Sequence, residues 1–410
     1  MGLDVLMLNR RGFLGASVLG ALIPFTGKAG AAARPNILFI TVDDMNCDSI
    51  GAFGCPVPGT SPNIDRLAAE GTRFHHAHVQ VGNCMPVRNV MQTGRYPHTN
   101  GVEGFYKVEN DFPIVPDLMK AHGYHTGIKG KITHSTPNPP YGWDTIMDPS
   151  DEKAAPNTFY DLTRNVIRKS EAEGKPFYVL VNITDPHLPF YAMGKGAVTV
   201  PDKNKPTRVY SPEEIVVPGF LPDRPIVRKE LSHYYSSVRR ADDCAGATLK
   251  ALEDTGAAEN TLVMFLSDHG MPFPFAKTCL YHHSTRTPWI ARWPGHTQAD
   301  AVDTQHMIST IDFAPTVLEA AGIPVPEAMQ GRSFVPLLEG MTQDGRDWII
   351  KEYNENSGGH RHPMRAVQTR KYLYIFNPWA NGERIFRTAT QGMATYKEMQ
   401  RLAETDEAIA

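Results

Sequence analysis

Three stretches of this chain are nearly unbroken apolar, β-rich runs, and each ends in a cluster of acidic or imidazole side chains. Asn36–Val42 (N-I-L-F-I-T-V) runs into Asp43-Asp44. Phe177–Ile183 (F-Y-V-L-V-N-I) runs into Thr184-Asp185-Pro186-His187, and Thr261–Leu266 (T-L-V-M-F-L) into Ser267-Asp268-His269-Gly270. A strand pattern without polar alternation belongs to strands buried on both faces, which occur in parallel sheets sandwiched by helices. Helical patterns lie between the runs. Ser61-Pro62 opens one that Gly71 stops, with N-cap and first-turn proline in the right order. Another extends from about Val227 to Glu253, with Leu231, Tyr234, Val238, Cys244, Leu249 and Leu252 as its core positions. The alternation predicts an α/β fold with a mostly parallel sheet flanked by helices. In such sheets the functional crevice lies beyond the carboxyl ends of the strands. Asp43, Asp44, His187, Asp268 and His269 are therefore predicted to converge. Several carboxylates beside one or two neutral ligands make a hard, oxygen-rich site, suited to Ca²⁺ or Mg²⁺ rather than zinc.

A chain of 410 residues, 41% of them hydrophobic, can bury one large domain and a smaller one. A net charge of -3 offers no basic face for a nucleic acid. The five cysteines, Cys47, Cys55, Cys84, Cys244 and Cys279, are odd in number and form no C-x-x-C pair, which argues against a zinc knuckle or a disulfide scaffold. One of them can therefore have a task of its own. Cys47 and Cys55 lie in one loop, where a bridge formed after export stays open. Residues 1–33 read as a twin-arginine signal peptide: Arg10-Arg11-Gly12-Phe13-Leu14, an apolar run from Ala16 to Phe25, then small residues up to Ala33. That run is too short for a resident membrane helix. The expected location is periplasmic or secreted, with no membrane attachment after signal removal.

Asn83–Arg95 (N-C-M-P-V-R-N-V-M-Q-T-G-R) reads as the start of a helix near Pro86. Cys84 then sits at the positive end, where free N–H groups attract an anion. Arg88, four residues on, can bring a guanidinium to the same face. A nucleophile between an arginine, a metal and a helix N-terminus suits a negatively charged substrate, so phosphate and sulfate esters are the candidates.

Cys84-x-Pro86-x-Arg88 followed by Thr93-Gly94-Arg95 resembles the core of the type I sulfatases of the alkaline phosphatase superfamily. Further segments follow that pattern in order: Arg34-Pro35-Asn36-Ile37 through Asp43-Asp44, Ser61-Pro62-Asn63-Ile64-Asp65-Arg66-Leu67, Gly130-Lys131-Ile132-Thr133-His134, Asp185-Pro186-His187, Ser267-Asp268-His269-Gly270 and Asp312-Phe313-Ala314-Pro315-Thr316. The resemblance covers roughly residues 34 to 340. Asp268–Pro274 with Lys277 and Leu280-Tyr281 is most similar to the sulfamidases. The resemblance implies an alkaline phosphatase-like catalytic domain over 34–340 and a small antiparallel C-terminal subdomain over 341–410. It implies a calcium ion (magnesium less so) held by Asp43, Asp44, Asp268 and His269 beside residue 84. A formylglycine-generating maturase would convert Cys84 to an aldehyde, whose hydrate attacks sulfur and keeps a second hydroxyl for expelling sulfate. Arg88 would stabilise the formylglycine, with His134 as its hydrogen-bond partner. Lys131 and Lys277 would clamp sulfate oxygens, and His187 would protonate the leaving group. His98, in Tyr96-Pro97-His98, resembles a substrate-side histidine. The implied substrate is a sulfated saccharide, O- or N-sulfated. A phosphodiester or phosphonate monoester hydrolase of the same superfamily, or a non-catalytic sulfated-glycan-binding relative, are the competing expectations.

Several positions depart from the family pattern. Val87 stands where serine is common, His269 where sulfamidases have asparagine, and Lys277 where they have arginine; Lys131 and His134 are spaced as in the iduronate type. Trp348–Tyr353 and Ala366–Ile375 read as hairpin strands, and the family continues with a further strand and helix. Here the chain stops at Ala410 after a polar helical pattern, so a truncated or reduced subdomain with one poorly covered sheet edge is expected. The stretch between Ala192 and Val227, with six prolines, has the irregularity of a segment that borders a site.

Overall fold

The structure, a computed structural model, describes residues 34–137, 142–147 and 155–405; the expected signal segment lies outside them. The apolar runs are strands, as their patterning requires. The large sheet contains β1 (Asn36–Val42), β2 (Thr72–His78), β3 (His125–Lys129), β4 (Thr145–Met147), β5 (Phe177–Ile183), β6 (Thr261–Ser267), β7 (Trp289–Arg292) and β8 (Ala301–Ser309), in the order β4-β3-β5-β1-β6-β7-β2-β8. Among the described residues only β7 runs against its neighbours in this sheet; the other pairings are parallel.

Both faces of β1 are covered, which explains its lack of polar alternation. Leu38, Ile40 and Val42 pack with Ile64 and Leu67, with Leu162 and Val166 of the Pro156–Ala172 helix, and with Leu231 and Val238 of the Pro225–Asp254 helix. Ile37 and Phe39 face the opposite layer, where they join Val87 and Met91 of the Cys84–Thr93 helix and Phe313. Each such fully buried side chain contributes roughly 1.5–3 kcal/mol. The Pro62–Ala69 helix starts where predicted but is capped differently. Ser61 Oγ accepts the Gly51 N–H and donates to Asp65. The orphan N–H groups of Asn63 and Ile64 donate instead to Asp242, at 3.0 and 2.9 Å, on the Pro225–Asp254 helix.

A second sheet holds β9 (Trp348–Glu355), β10 (Arg361–Thr369) and β11 (Leu373–Phe376), antiparallel in the order β11-β10-β9. The single strand read over Ala366–Ile375 is in fact two, because the chain turns back between Thr369 and Leu373. β11 is an edge strand of this sheet, with Tyr374 and Phe376 exposed. The Ala394–Glu404 helix docks on the Pro225–Asp254 helix, where the Ala394 and Thr395 N–H groups donate to Glu230 at 2.9 and 2.8 Å. Cys47 and Cys55 are separate free thiols, so no bridge joins them.

Candidate active site

The four central strands deliver the site. β3, β5, β1 and β6 are adjacent and parallel, and Val42 pairs with both Ile183 and Ser267 while Lys129 pairs with Val181. Their carboxyl ends thus release Gly130-Lys131, Thr184–His187, Asp43-Asp44 and Asp268-His269 side by side. The Cys84–Thr93 helix brings Cys84 to the same place at its first turn, with the αL residue Gly94 closing its other end.

Asp43, Asp44, Asp268 and His269 are fully buried, and Cys84 is nearly so. Potential ligand atoms of Asp43, Cys84, Asp268 and His269 lie within 4.8 Å of one another, as do those of Asp43, Asp44, Cys84 and His187. Ligand oxygens on one calcium, each about 2.4 Å away, are at most about 5 Å apart, so the cluster has the right dimensions. Asp43 Oδ1 is buried with no hydrogen-bond partner, as an oxygen reserved for a cation would be. His269 Nδ1 lies 3.0 Å from the Gly270 carbonyl, which can only accept. Nδ1 therefore carries a proton, which leaves Nε2, 3.2 Å from both Cys84 Sγ and Asp44 Oδ1, as the ring atom placed to ligate. Three carboxylates and an imidazole fit a hard divalent cation.

Arg88 is buried and donates through Nε to Asp268 at 3.0 Å and through Nη1 to Thr41 at 2.9 Å and to Asn182. The Arg88 guanidinium is drawn to the buried Asp268 carboxylate, and His134 Nδ1 is buried without a hydrogen-bond partner. Two residues that sequence reasoning did not single out complete this core. Thr41 donates to Asn182 at 2.7 Å, and Asn182 Nδ2 donates to the Gly130 carbonyl at 2.7 Å. Their signal was available, since each is a polar residue inside a run otherwise buried on both faces. Gly130 (φ 67°) needs the freedom of glycine, because a Cβ would lie 2.7 Å from the Asn182 carbonyl oxygen.

The remaining predicted residues divide into two groups. Lys131, itself left-handed at φ 49°, rests its ammonium on Asp43 Oδ2, and Lys277 Nζ meets both oxygens of Asp44 at 2.6 and 2.7 Å. His187 Nε2 is 4.0 Å from Asp44 Oδ2, while its Nδ1 donates to the Leu188 carbonyl at 2.6 Å. Lys131, His134 and His187 also line a cavity of about 400 Å³. His98 is half-exposed and meets Glu352 through its backbone N–H at 2.9 Å and its ring Nδ1 at 2.6 Å.

Charge in the cluster is balanced by these cations. Burial alone would raise the Asp43 pKa, but Lys131, His187, Arg88 and Lys277 together hold it well below the usual carboxylate range. Burial, then Asp43, pushes the Cys84 thiol far up, so sulfur at this position is a thiol and not a ready thiolate. Burial and the Lys131 and Arg88 charges push His134 down to about 4, so it is neutral at physiological pH.

Comparison with known proteins decides the family. The sulfatase family model matches residues 35–323. The chain belongs to the sulfatase family. A second model, for the C-terminal region of N-sulphoglucosamine sulphohydrolase, matches residues 268–383 of this sulfatase. The sulfatase is 29% identical to N-sulphoglucosamine sulphohydrolase of Homo sapiens over 382 residues, covering 84% of this chain and 74% of that protein. A solved structure in complex with its substrate D-glucosamine-2-N,6-O-disulfate superposes at TM-score 0.65 and 20% identity, over 92% of this chain and 98% of that one. The phosphonate monoester hydrolase of Agrobacterium radiobacter superposes at TM-score 0.67 and 18% identity, over 92% and 95%. At these identities the structural likeness fixes the alkaline phosphatase-like fold. The sequence relationship makes the protein a sulfuric ester hydrolase of sulfamidase-like type.

Proposed function

We propose that this sulfatase hydrolyses O- or N-sulfate groups of a sulfated saccharide, using calcium and a formylglycine made from Cys84. The observation that carries the proposal is the convergence of Asp43, Asp44, Asp268 and His269 around Cys84, at the first turn of a buried helix. When present, a divalent cation supplies electrophilic pull on a sulfate oxygen, and a formylglycine supplies a hydrated aldehyde where a thiol would stand. Asp43, Asp44, Asp268 and His269 would hold the cation. Arg88, fixed by Asp268, Thr41 and Asn182, keeps a permanent positive charge beside residue 84. Lys131 and Lys277 bring two ammonium groups to where charge builds on the transferring group. His187 is anchored through Nδ1 to the Leu188 carbonyl, so Nε2 is the atom that passes a proton to the departing oxygen or nitrogen. The Arg10-Arg11 leader pattern supports export by the twin-arginine route to the periplasm or beyond.

The test is the mass of the tryptic peptide Phe74–Arg88 from protein co-expressed with a formylglycine-generating maturase. The expected result is a mass lowered by exchange of thiol for aldehyde, together with turnover of an aryl sulfate. Full retention of the thiol would instead support a non-catalytic glycan-binding protein. Because the fold is shared with a phosphonate monoester hydrolase, an aryl phosphonate is assayed alongside. Faster phosphonate than sulfate turnover would move the assignment to that chemistry.

A further inference from the structure

The cavity beside Lys131 has a neighbour. A second space of about 350 Å³ shares Thr184, His187, Leu188 and Pro189 with it, so the two meet along the wall that carries the proposed proton donor. Both exceed the roughly 300 Å³ at which small-molecule sites begin. Their charges differ. Among the described residues the first is lined by Lys129, Lys131, His134 and His187 and by no carboxylate. Among the described residues the second is lined by Asp185 and Asp202 against Arg240, with His187 shared between the two.

That cation is consumed internally. Arg240 Nε and Nη2 donate to the two oxygens of Asp185 at 2.5 and 3.0 Å, and Nη1 donates to Asp202 Oδ2 at 2.9 Å and to the Asn204 carbonyl at 3.1 Å. Asp202 is a quarter exposed; Oδ2 also accepts the Ala192 N–H at 3.4 Å and Oδ1 the Asn204 N–H at 3.0 Å, which leaves Oδ1 room for one incoming donor. The second cavity therefore offers two carboxylates against one guanidinium, with the His187 imidazole shared with the first cavity, and apolar surface from Phe190, Val200 and Pro201. Hydroxyl groups and a C–H sugar face fit such a lining; a sulfate or carboxylate is repelled. The outer wall belongs to the proline-rich stretch after Ala192. It is tied down where the Tyr191 N–H donates to Ser237 at 2.6 Å and His233 donates to the Tyr191 carbonyl at 3.0 Å.

We propose that the second cavity is a subsite for the sugar unit adjoining the sulfated one, and that this unit carries neither sulfate nor carboxylate. The inference rests on the sulfated-saccharide reading. It makes the substrate at least a disaccharide, with its charge confined to the unit beside Lys131 and His187.

The experiment compares three probes on the matured enzyme: glucosamine N-sulfate, the same unit linked to a neutral hexose, and the same unit linked to a uronic acid. An aryl sulfate serves as the control for chemistry. The neutral disaccharide is expected to exceed the other two in kcat/KM by about tenfold or more. Val200→Trp, which fills the cavity from a surface-exposed position, is expected to bring the disaccharide-to-monosaccharide ratio to near one. Asp202→Asn is expected to narrow the gap between the neutral and uronic acid probes. Equal kcat/KM for all three, or a ratio unmoved by Val200→Trp, overturns the subsite while leaving the sulfatase reading intact if the aryl sulfate is turned over. Should every sulfate be inert, that reading fails, and calorimetry with the unsulfated disaccharides still decides. Preferential binding of the neutral one upholds the subsite, and its absence overturns it.

Discussion

Asn182 links the cation that stands over residue 84 to the turn that aims Lys131. Its Oδ1 accepts from Arg88 and Thr41, and its Nδ2 holds the Gly130 carbonyl. Asn182→Leu would leave a buried guanidinium N–H and a carbonyl unpaired and would free the strained turn at Lys131. We expect kcat for an aryl sulfate to fall about tenfold to a hundredfold with a smaller change in KM. Asn182→Asp, which keeps the acceptor for Arg88, should retain more; equal kcat values for the two variants would deny Asn182 this positioning role. A second residue gives a pH-dependent test of stability. Lys351 is fully buried, bonded to Thr285 at 2.6 Å and Gln368 at 3.1 Å, and burial pushes its pKa from 10.5 down to about 7. The unfolded chain thus binds this proton more tightly, so the cost of Lys351 is fully present below about pH 7 and fades as pH rises toward 10.5. Thermal unfolding of Lys351→Met against wild type should favour the variant more at about pH 6 than at about pH 9. A Tm difference independent of pH would count against it.

At the scale of elements, the Pro62–Ala69 helix shows how one helix completes another. Its start was legible from Ser61-Pro62, yet its free N–H groups are satisfied by Asp242, far along the chain. Asp242→Ala removes three donors' acceptor at once, counting Asn63 Nδ2, and is expected to cost about 2 kcal/mol in denaturant unfolding. Ser61→Ala, lacking a capping bond to lose, is expected to cost less; the reverse ranking would show the cap to be local after all. The small sheet carries a parallel lesson. A continuous β-rich reading over Ala366–Ile375 hid the turn after Thr369, because Arg370-Lys371-Tyr372 contains neither glycine nor proline to mark it.

For the molecule as a whole, the site joins the ends of β1, β5 and β6 to the Cys84–Thr93 helix. A cation bound there would bridge elements remote in sequence and bind only the folded chain. Calcium should then raise Tm in a concentration-dependent way, by the equivalent of about 2.7 kcal/mol at a hundredfold excess over Kd, and a chelator should reverse it. Asp43→Asn is expected to lose most of that dependence. Magnesium should act more weakly, since it demands stricter octahedral geometry. A Tm indifferent to calcium would remove the metal from the proposal.

The sequence by itself determined the layered α/β architecture, because a strand buried on both faces must be apolar throughout and its terminal polar cluster must then mark the crevice. It also determined the chemistry available, through Asp43, Asp44, Cys84, Arg88, Asp268 and His269. Only the tertiary structure decided who pairs with whom. Arg88 pairs with Asp268, His98 with Glu352, and Asn182 became the hub between Arg88 and Gly130. Such choices follow from strand order and the cost of burying an unpaired charge, and both depend on neighbours that lie far away along the chain.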